Sequence, residues 1–229
     1  MTTVGIVGGL GPESTIDYYR RILEAWGRDN PASAPSIVID SLDVRRALRL
    51  VETDRPGLID YLLASLGRLA GAGVDFIAMT ANTPHIVFDE LAARSAVPLL
   101  SIVDTCAQEA QRRGLGRLGL LGTRFTMEAP FYPEVCARYG IAVVTPDAKD
   151  RAWVHTRYVD EFLAGEFRDD TRREFVSLVG RLRDEKHIDG IILGGTELSL
   201  LLTTPVIADV PALDTTALHV AAIVARLQL

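Results

Sequence analysis

The sequence predicts an α/β protein made of two pseudosymmetric, doubly wound parallel-sheet domains. Three observations lead to this prediction. Short apolar, β-branched runs alternate with longer amphipathic stretches along the whole chain, which is typical of parallel strands joined by helices. Two short motifs recur at one constant displacement. No Pro/Gly/Ser-rich linker or low-complexity segment interrupts the alternation.

The elements follow from the length and period of the apolar runs. The predicted strands are Val4–Gly8, Ser36–Asp40, Phe76–Thr80, Pro98–Val103, Leu118–Gly122, Ala142–Thr145, Gly190–Gly194 and Val206–Asp209. The clearest helical patterns are Ser14–Trp26, Pro56–Ala72, Asp104–Arg113, Pro130–Tyr139 and Thr171–Lys186.

An internal repeat supports two similar halves. Gly5–Gly9 has a counterpart in Gly119–Thr123, displaced by 114 residues, and Ala81–Thr83 maps with the same displacement onto Gly195–Glu197. Chance recurrence of short Gly-rich strings is the alternative. Two homologous halves imply one domain of residues 1–99 plus 211–229 and a second domain of residues 100–210.

The repeat also predicts where a ligand binds. Ligands of open parallel sheets bind beyond the carboxyl ends of the strands. A pseudo-two-fold arrangement would bring four such ends to one cleft between the domains. The four segments are Gly8–Thr15, Thr80–His85, Thr123–Thr126 and Gly194–Glu197.

Composition excludes several classes of function. The 229 residues carry a net charge of −6, which argues against nucleic acid as a partner because phosphate binding needs a basic face. No 18-residue apolar run suggests a membrane span. Two cysteines without a CxxC pair, and no signal-peptide pattern at the N-terminus, predict a cytoplasmic protein. The four histidines lack ligand-like spacing, so we expect no metal site.

The loop at Gly9 and the segment at Asn82 each allow more than one interpretation. Gly9, Glu13 and Ser14 join a strand to a helix, where backbone N–H groups are available to an anion. The loop fits the dinucleotide pattern GxGxxG poorly because Ser14 replaces the third glycine. It is interpreted as the wall of a carboxylate site or as a turn without ligand. Asn82 and Thr83 offer amide and hydroxyl donors for a carboxylate, or form an Asx turn and helix cap.

The second half repeats this theme. Thr123 and Thr126 place two hydroxyls three residues apart, as ligand donors or as a helix cap. Glu197 is the acid that directly follows a predicted buried strand, although a helix dipole also favours glutamate there. Arg46 could pair with a carboxylate or be an ordinary surface arginine. The two cysteines, Cys106 and Cys136, lie in predicted helices and are expected to pack as small buried hydrophobes.

These segments together resemble a known family. Val4–Thr15 resembles the opening of aspartate/glutamate racemases, Asn82–His85 the segment after their first catalytic cysteine, and Gly194–Leu198 the region of their second. Gly122–Met127 and Asp214–His219 also fit, so the resemblance covers essentially the whole chain. It implies two Rossmann-like domains with the active site in the cleft between them, no pyridoxal phosphate or other cofactor, and a homodimer.

The resemblance also identifies a departure. In that family two cysteines face each other across the substrate Cα, and one removes a proton while the other delivers one. Here Ala81 stands at the first position and Gly195 at the second, and neither can exchange a proton. A positioned acid or base contributes about 10²–10⁴-fold to rate, so two-thiol racemisation is not expected.

The resemblance assigns the remaining roles residue by residue. Binding of the carboxylate and amino groups of a small acidic ligand falls to Asn82, Thr83, Thr123, Thr126 and Thr196, with the Gly9–Thr15 loop as one wall. The proton-transfer candidates left near the cleft are Thr80, Glu13, His85, Glu197 and His155.

Three functions follow as hypotheses. The first is an enzyme with altered chemistry on a small amino acid or dicarboxylate, such as elimination, decarboxylation or isomerisation, which needs at most one acid or base. The second is aspartate or glutamate racemisation by substitute groups. The third is a non-catalytic carboxylate-binding paralogue.

Overall fold

The computed structural model describes residues 2–229, which form two compact α/β units. The first unit extends to Ile102 and resumes with His219–Leu229, and the second is Val103–Leu218. Each unit is built on a parallel-dominated sheet, as the alternation of apolar and amphipathic segments predicts.

The sheet of the first unit has four parallel strands in the order β2-β1-β3-β4. The strands are β1 (Thr3–Gly8), β2 (Ser36–Ser41), β3 (Phe76–Met79) and β4 (Leu99–Leu100). The helices between them are α1 (Pro12–Asp29), α2 (Val44–Thr53), α3 (Arg55–Gly71), a 3₁₀ helix (Thr83–Val87) and α4 (Phe88–Arg94).

The central strands β1 and β3 are buried on both faces of this sheet, and their alternate residues point to opposite faces. Val7, Ile77 and Met79 belong to one apolar cluster, which includes side chains of α3. Ile6 and Phe76 belong to another, which includes side chains of α1 and of the C-terminal helix. Parallel strands covered in this way read as nearly continuous apolar runs, which is why they are recognisable in the sequence.

The sheet of the second unit has the order β6-β5-β7-β9-β8. Its strands are β5 (Arg117–Leu121), β6 (Ala142–Val144), β7 (Gly190–Leu193), β8 (Val206–Ile207) and β9 (Val210–Asp214). The helices are α5 (Ile102–Arg112), α6 (Arg124–Glu128), α7 (Phe131–Ala137), α8 (Ala148–Asp160), a 3₁₀ helix (Phe162–Ala164), α9 (Asp169–Lys186) and α10 (Leu198–Leu201). The last helix, α11 (Thr215–Leu227), begins in the second unit and belongs to the first unit from His219 onwards.

The internal repeat predicted from the sequence is present in the strand register. In the first unit Val4 pairs with Phe76 and Val7 with Met79. In the second unit Leu118 pairs with Gly190 and Leu121 with Leu193, so all four partners are shifted by the same 114 residues. Strand order agrees as well, since β2-β1-β3-β4 corresponds to β6-β5-β7-β9. The two-domain pseudosymmetric α/β prediction is confirmed.

The prediction of the last strand was wrong. Val206–Asp209 was expected to be a parallel core strand, but only Val206–Ile207 is extended and it pairs antiparallel with β9. The parallel strand beside β7 is Val210–Asp214. Ala208 and Asp209 take positive φ values of 46° and 62°, which turns the chain sharply between the two strands.

Two further boundaries differ from the sequence analysis. The predicted strand Pro98–Val103 is shorter, because Ile102 already begins α5. The unit boundaries lie at 102/103 and 218/219 instead of 99/100 and 210/211. The second shift follows from β9, whose pairing with β7 keeps residues 210–214 in the second unit.

Candidate functional site

In the first unit, the chain after β1 folds back on itself around one threonine. Gly9 has φ 74°, and a Cβ there would collide with the backbone of Leu42, so only glycine suits this turn. The Gly9 N–H donates to Thr15 Oγ1 (2.9 Å), and the Thr15 hydroxyl donates to the Gly11 carbonyl (3.1 Å). The strand–helix turn is therefore closed by a side chain that the sequence analysis does not single out.

The end of β3 adjoins this turn. Thr80 is fully buried, and its Oγ1 lies 3.3 Å from the Val7 carbonyl and 3.3 Å from Thr15 Oγ1. Ala81 packs in the same apolar cluster as Val7, and Asn82 is buried next to it. The Thr80 hydroxyl thus lies within a network of protein groups, which suits holding the turn better than removing a proton.

His85 has both ring nitrogens engaged with the backbone. The Ile102 N–H approaches Nε2 (3.3 Å), so Nε2 accepts, and the proton on Nδ1 is donated to the Ala81 carbonyl (3.1 Å). Burial, aided by the neighbouring His219, lowers the pKa of His85 to about 3. The neutral ring has no free lone pair, and it fixes the carbonyl of Ala81 instead.

In the second unit, the ends of β5 and β7 approach closely. A Cβ on Gly122 would lie 2.6 Å from the Gly194 carbonyl oxygen, and the Gly194 N–H donates to the Leu121 carbonyl (2.7 Å). The Thr126 N–H donates to Thr123 Oγ1 (3.3 Å), and the two hydroxyl oxygens are 3.2 Å apart. The two predicted hydroxyls therefore come together, and Thr123 also caps α6.

The segment after β7 carries the buried acid. Thr196 and Glu197 are both buried, and the Thr196 hydroxyl donates to Glu197 Oε2 (3.2 Å). Gly195, directly before them, is buried without a side chain. A Cβ placed on it would overlap the hydroxyl and Cζ of Tyr158. Tyr158 comes from α8 and was missed by the sequence analysis, because nothing in its own segment marks it.

The remaining predicted residues are more peripheral. Glu13 is exposed and Ser14 is buried at the start of α1. Thr83 is partly buried at the start of the 3₁₀ helix. Arg46 is exposed, and its guanidinium lies over the Tyr61 ring, 4.5 Å from the centroid.

The two cysteines are buried and unbridged, as predicted. Burial raises the pKa of the Cys136 thiol to about 12. Burial, followed by the neighbouring Cys136, raises the pKa of the Cys106 thiol well above its usual range. Neither thiol ionises at neutral pH, so neither supplies a nucleophile or a base. Among residues 2–229 there is no cluster of His, Cys, Asp and Glu that could hold a metal ion. None of the helices of these residues is long and apolar enough to cross a membrane.

Known proteins resemble this chain over its whole length. It is 26% identical over 223 residues to the broad specificity amino-acid racemase RacX of Bacillus subtilis, covering 93% of each protein. A structure of a candidate Asp/Glu racemase from Yersinia pestis matches with a TM-score of 0.89 and 33% identity, and both chains are fully covered. An aspartate racemase homologue from Pyrococcus horikoshii matches with a TM-score of 0.84 and 31% identity, again over both entire chains.

A family model also matches this chain. The model described as Asp/Glu/Hydantoin racemase matches residues 7–223, which includes the strand-end segments of both units. The chain belongs to the Asp/Glu/Hydantoin racemase family.

Proposed function

We propose that this chain is an enzyme of the racemase/isomerase class that acts without pyridoxal phosphate at the Cα of a small amino acid or dicarboxylate. Its chemistry is proton transfer by a single protein group, as in elimination, decarboxylation or isomerisation. One observation carries this proposal. The two positions that the family resemblance assigns to proton exchange hold Ala81 and Gly195, while the hydroxyls around them remain.

The hydroxyl groups support binding of a carboxylate. Thr123, Thr126 and Thr196 gather at the strand ends of the second unit, and Asn82 and Thr83 follow β3 in the first. Neutral hydroxyl and amide donors can stabilise a carboxylate without a buried cation. They also stabilise the negative charge that develops on that carboxylate when its Cα becomes a carbanion.

The surroundings of the proton-transfer candidates rule out two of them. His85 offers no free lone pair, and Thr80 is held in a hydroxyl network. Glu197 keeps a carboxylate beside the hydroxyl of Thr196. Losing both members of a symmetric acid–base pair removes a contribution of about 10²–10⁴-fold for each. A reaction that needs one donor tolerates this loss, whereas racemisation by two opposed groups does not.

Amino-acid racemisation by substitute groups is the second candidate. The similarity to RacX, a broad specificity amino-acid racemase, favours it, because the match covers 93% of both proteins. Racemisation requires that both enantiomers of a substrate exchange their α-proton with solvent. That requirement separates it from reactions with one proton donor.

Proton NMR in D₂O tests the proposal. The panel is L- and D-aspartate, L- and D-glutamate, substituted succinates and substituted malonates, the last because loss of CO₂ from them leaves a carboxylate-stabilised carbanion. We expect either new product signals or deuterium at Cα for at least one compound. Thr196→Val is expected to abolish the change, and the exposed Thr156 on α8 provides the control variant Thr156→Val.

Each outcome has a separate meaning. Equal deuterium exchange into both enantiomers of one amino acid would favour racemisation. No change across the whole panel, together with a ligand-dependent rise in melting temperature, would identify a carboxylate-binding protein without turnover. A homodimer and a cytoplasmic location remain predictions from the family resemblance and the composition, and light scattering of the purified protein tests the first.

A further inference from the structure

The space above Gly195 is filled by a side chain from another part of the second unit. Tyr158 lies on α8, 37 residues earlier in the chain. A Cβ built on Gly195 would overlap the Tyr158 hydroxyl and Cζ, and would lie 3.2 Å from Cε1. The Cβ of any side chain at position 195 would therefore occupy the place of the Tyr158 hydroxyl. The glycine and the tyrosine are sterically matched.

The hydroxyl of Tyr158 is buried and unsatisfied. The residue is 2% exposed, and its Oη has no hydrogen-bond partner among residues 2–229. The nearby N–H of Leu198 is already donated to the Gly195 carbonyl (2.9 Å). Buried polar groups are nearly always hydrogen-bonded, so an unpartnered hydroxyl here indicates a partner that arrives with a ligand.

The ring itself is held in place. Phe162 meets it edge to face, with the ring centroids 5.0 Å apart and the planes at 76°. Leu198 and Val154 belong to the same buried cluster. Packing of this kind restricts the phenol to one orientation, as a proton-transfer group requires.

We propose that Tyr158 donates the proton in the reaction of this enzyme and takes over the place of the side chain that Gly195 lacks. This inference rests on the proposed function and names the single group that serves it. The substrate class is a carboxylate whose Cα becomes a carbanion during the reaction. The phenol supplies the proton that this carbanion needs.

The electrostatics suit an acid and exclude a base. Burial, followed by the charge of Glu197, raises the pKa of Tyr158 well above its usual value near 10. The phenol is therefore protonated throughout the neutral range. It can deliver a proton to a carbanion, but it cannot remove one from a resting substrate.

The proton-transfer step needs only water as a further reactant. The electron pair left on Cα, after its carboxylate substituent departs as CO₂, forms a bond to the hydrogen of Oη. The O–H bond breaks, and its electron pair stays on the oxygen as a tyrosinate. A solvent water then returns a proton to that oxygen and leaves hydroxide. The negative charge of Glu197 favours this last step, because it destabilises the tyrosinate.

Tyr158→Phe is the sharpest variant, because it removes one oxygen and keeps the ring that fills the space over Gly195. We expect product formation or deuterium uptake in D₂O to fall by about 100-fold or more in kcat. KM and the melting temperature should stay within the error of the wild type. The control is Tyr132→Phe, which changes another fully buried tyrosine of the second unit and should retain full activity.

The outcomes distinguish this inference from the proposed function. A wild type that turns over a substrate, with Tyr158→Phe equally active, would overturn the role of Tyr158 and leave the proposed function intact. A wild type without any chemistry across the panel would overturn the proposed function and the inference with it. A pH–rate profile adds a second readout: activity limited by the Tyr158 proton should not decline between pH 7 and about 10. A decline in that range that Tyr158→Phe does not alter would assign the donor to another group.

Discussion

The ends of β3 and β7 occupy the same place in two similar sheets, yet they are completed differently. Ala81 and Gly195 each stand two residues beyond their strand and 114 residues apart. The first carries its own methyl group into an apolar cluster. The second has no side chain, and Tyr158 from α8 occupies the space that its Cβ would fill. A repeated backbone therefore does not imply a repeated site, because a distant helix can supply what one strand end lacks.

Inside the sheets the two halves remain alike. A Cβ on Gly5 would lie 3.1 Å from Ile77, and a Cβ on Gly119 would lie 2.7 Å from Ile191, the corresponding residue. Both strands need glycine so that the isoleucine of the neighbouring strand can pack across them. At the strand ends, where function is located in this kind of sheet, the halves differ.

The largest effect of a single substitution on stability should come from adding a side chain at the second strand end. Gly195→Ala forces a methyl group into the Tyr158 hydroxyl, and we expect a loss of about 3 kcal/mol or more. The matched change Ala81→Gly removes a buried methyl group and adds backbone freedom, which costs about 1–2 kcal/mol. Urea unfolding measures both. In a double-mutant cycle, Tyr158→Ala should be less damaging when Gly195→Ala is present than alone; additive effects would show that the two residues do not share that space.

Acid should destabilise the first unit through two buried histidines. Burial lowers the pKa of His85 to about 3 and that of His219 to about 4, whereas an unfolded histidine titrates near 6.5. The stability is therefore fully present above pH 6.5 and is lost as the pH falls toward 4. Each histidine should remove about 1.4 kcal/mol per pH unit in this range.

Unfolding free energies measured from pH 7.5 to 5 check the acid effect. His219→Gln should reduce the pH slope even though it lowers stability overall. The control is His187→Asn at the end of α9, where φ is 55°, a conformation that asparagine tolerates. A wild type whose stability is flat from pH 7.5 to 5 would contradict neutral, buried rings.

A smaller effect should separate the two strand glycines. Gly5→Ala meets Val74 Cγ2, Ile77 Cγ1 and Leu69 Cβ at 3.0–3.3 Å, which are atoms near the backbone that yield little. Gly119→Ala meets the terminal Cδ1 atoms of Ile191 and Ile188, which can rotate away. We expect a cost of about 2 kcal/mol at Gly5 and about 1 kcal/mol at Gly119. Thermal unfolding gives the order, and the reverse order would mean that the second sheet is packed more rigidly than the first.

The smallest effect concerns the β8–β9 turn, which has no counterpart in the first unit. Ala208 takes φ 46°, a left-handed conformation that costs a residue with a Cβ about 1 kcal/mol. Ala208→Asn should raise the unfolding free energy by about 0.5 kcal/mol. The Arg183 guanidinium donates to the Ala208 carbonyl (2.8 Å) and to Asp209 Oδ2 (2.9 Å), so the turn should persist. A destabilised variant would indicate that the Ala208 methyl group is needed for packing.

The sequence predicts the strands that are buried on both faces and fails where the chain turns sharply. β1, β3, β5 and β7 lie within a residue or two of their predicted limits, because runs such as Phe76–Met79 are continuously apolar. β9 was misplaced because the apolar residues Val206–Ala208 are separated from Val210 by the single polar residue Asp209. No residue in that segment predicts that Ala208 adopts a left-handed conformation.

Some site residues were recognised from the sequence, and others only from the structure. Thr123, Thr126, Thr196 and Glu197 were identified because each lies within five residues of the end of a strand. Tyr158 was not, because its relation to Gly195 depends on how α8 packs against the end of β7. His85 was a reasonable candidate base by its type alone, and only its two backbone hydrogen bonds reveal a different use.

The stereochemistry of deuterium uptake in D₂O tests most directly whether one group delivers the proton. Any product or exchanged substrate would be separated on a chiral column and its Cα deuterium located by NMR. With Tyr158 as the single donor, we predict that deuterium enters with one configuration and that Tyr158→Phe removes it. Equal labelling in both configurations would contradict the single-donor mechanism and indicate two opposed proton-transfer groups.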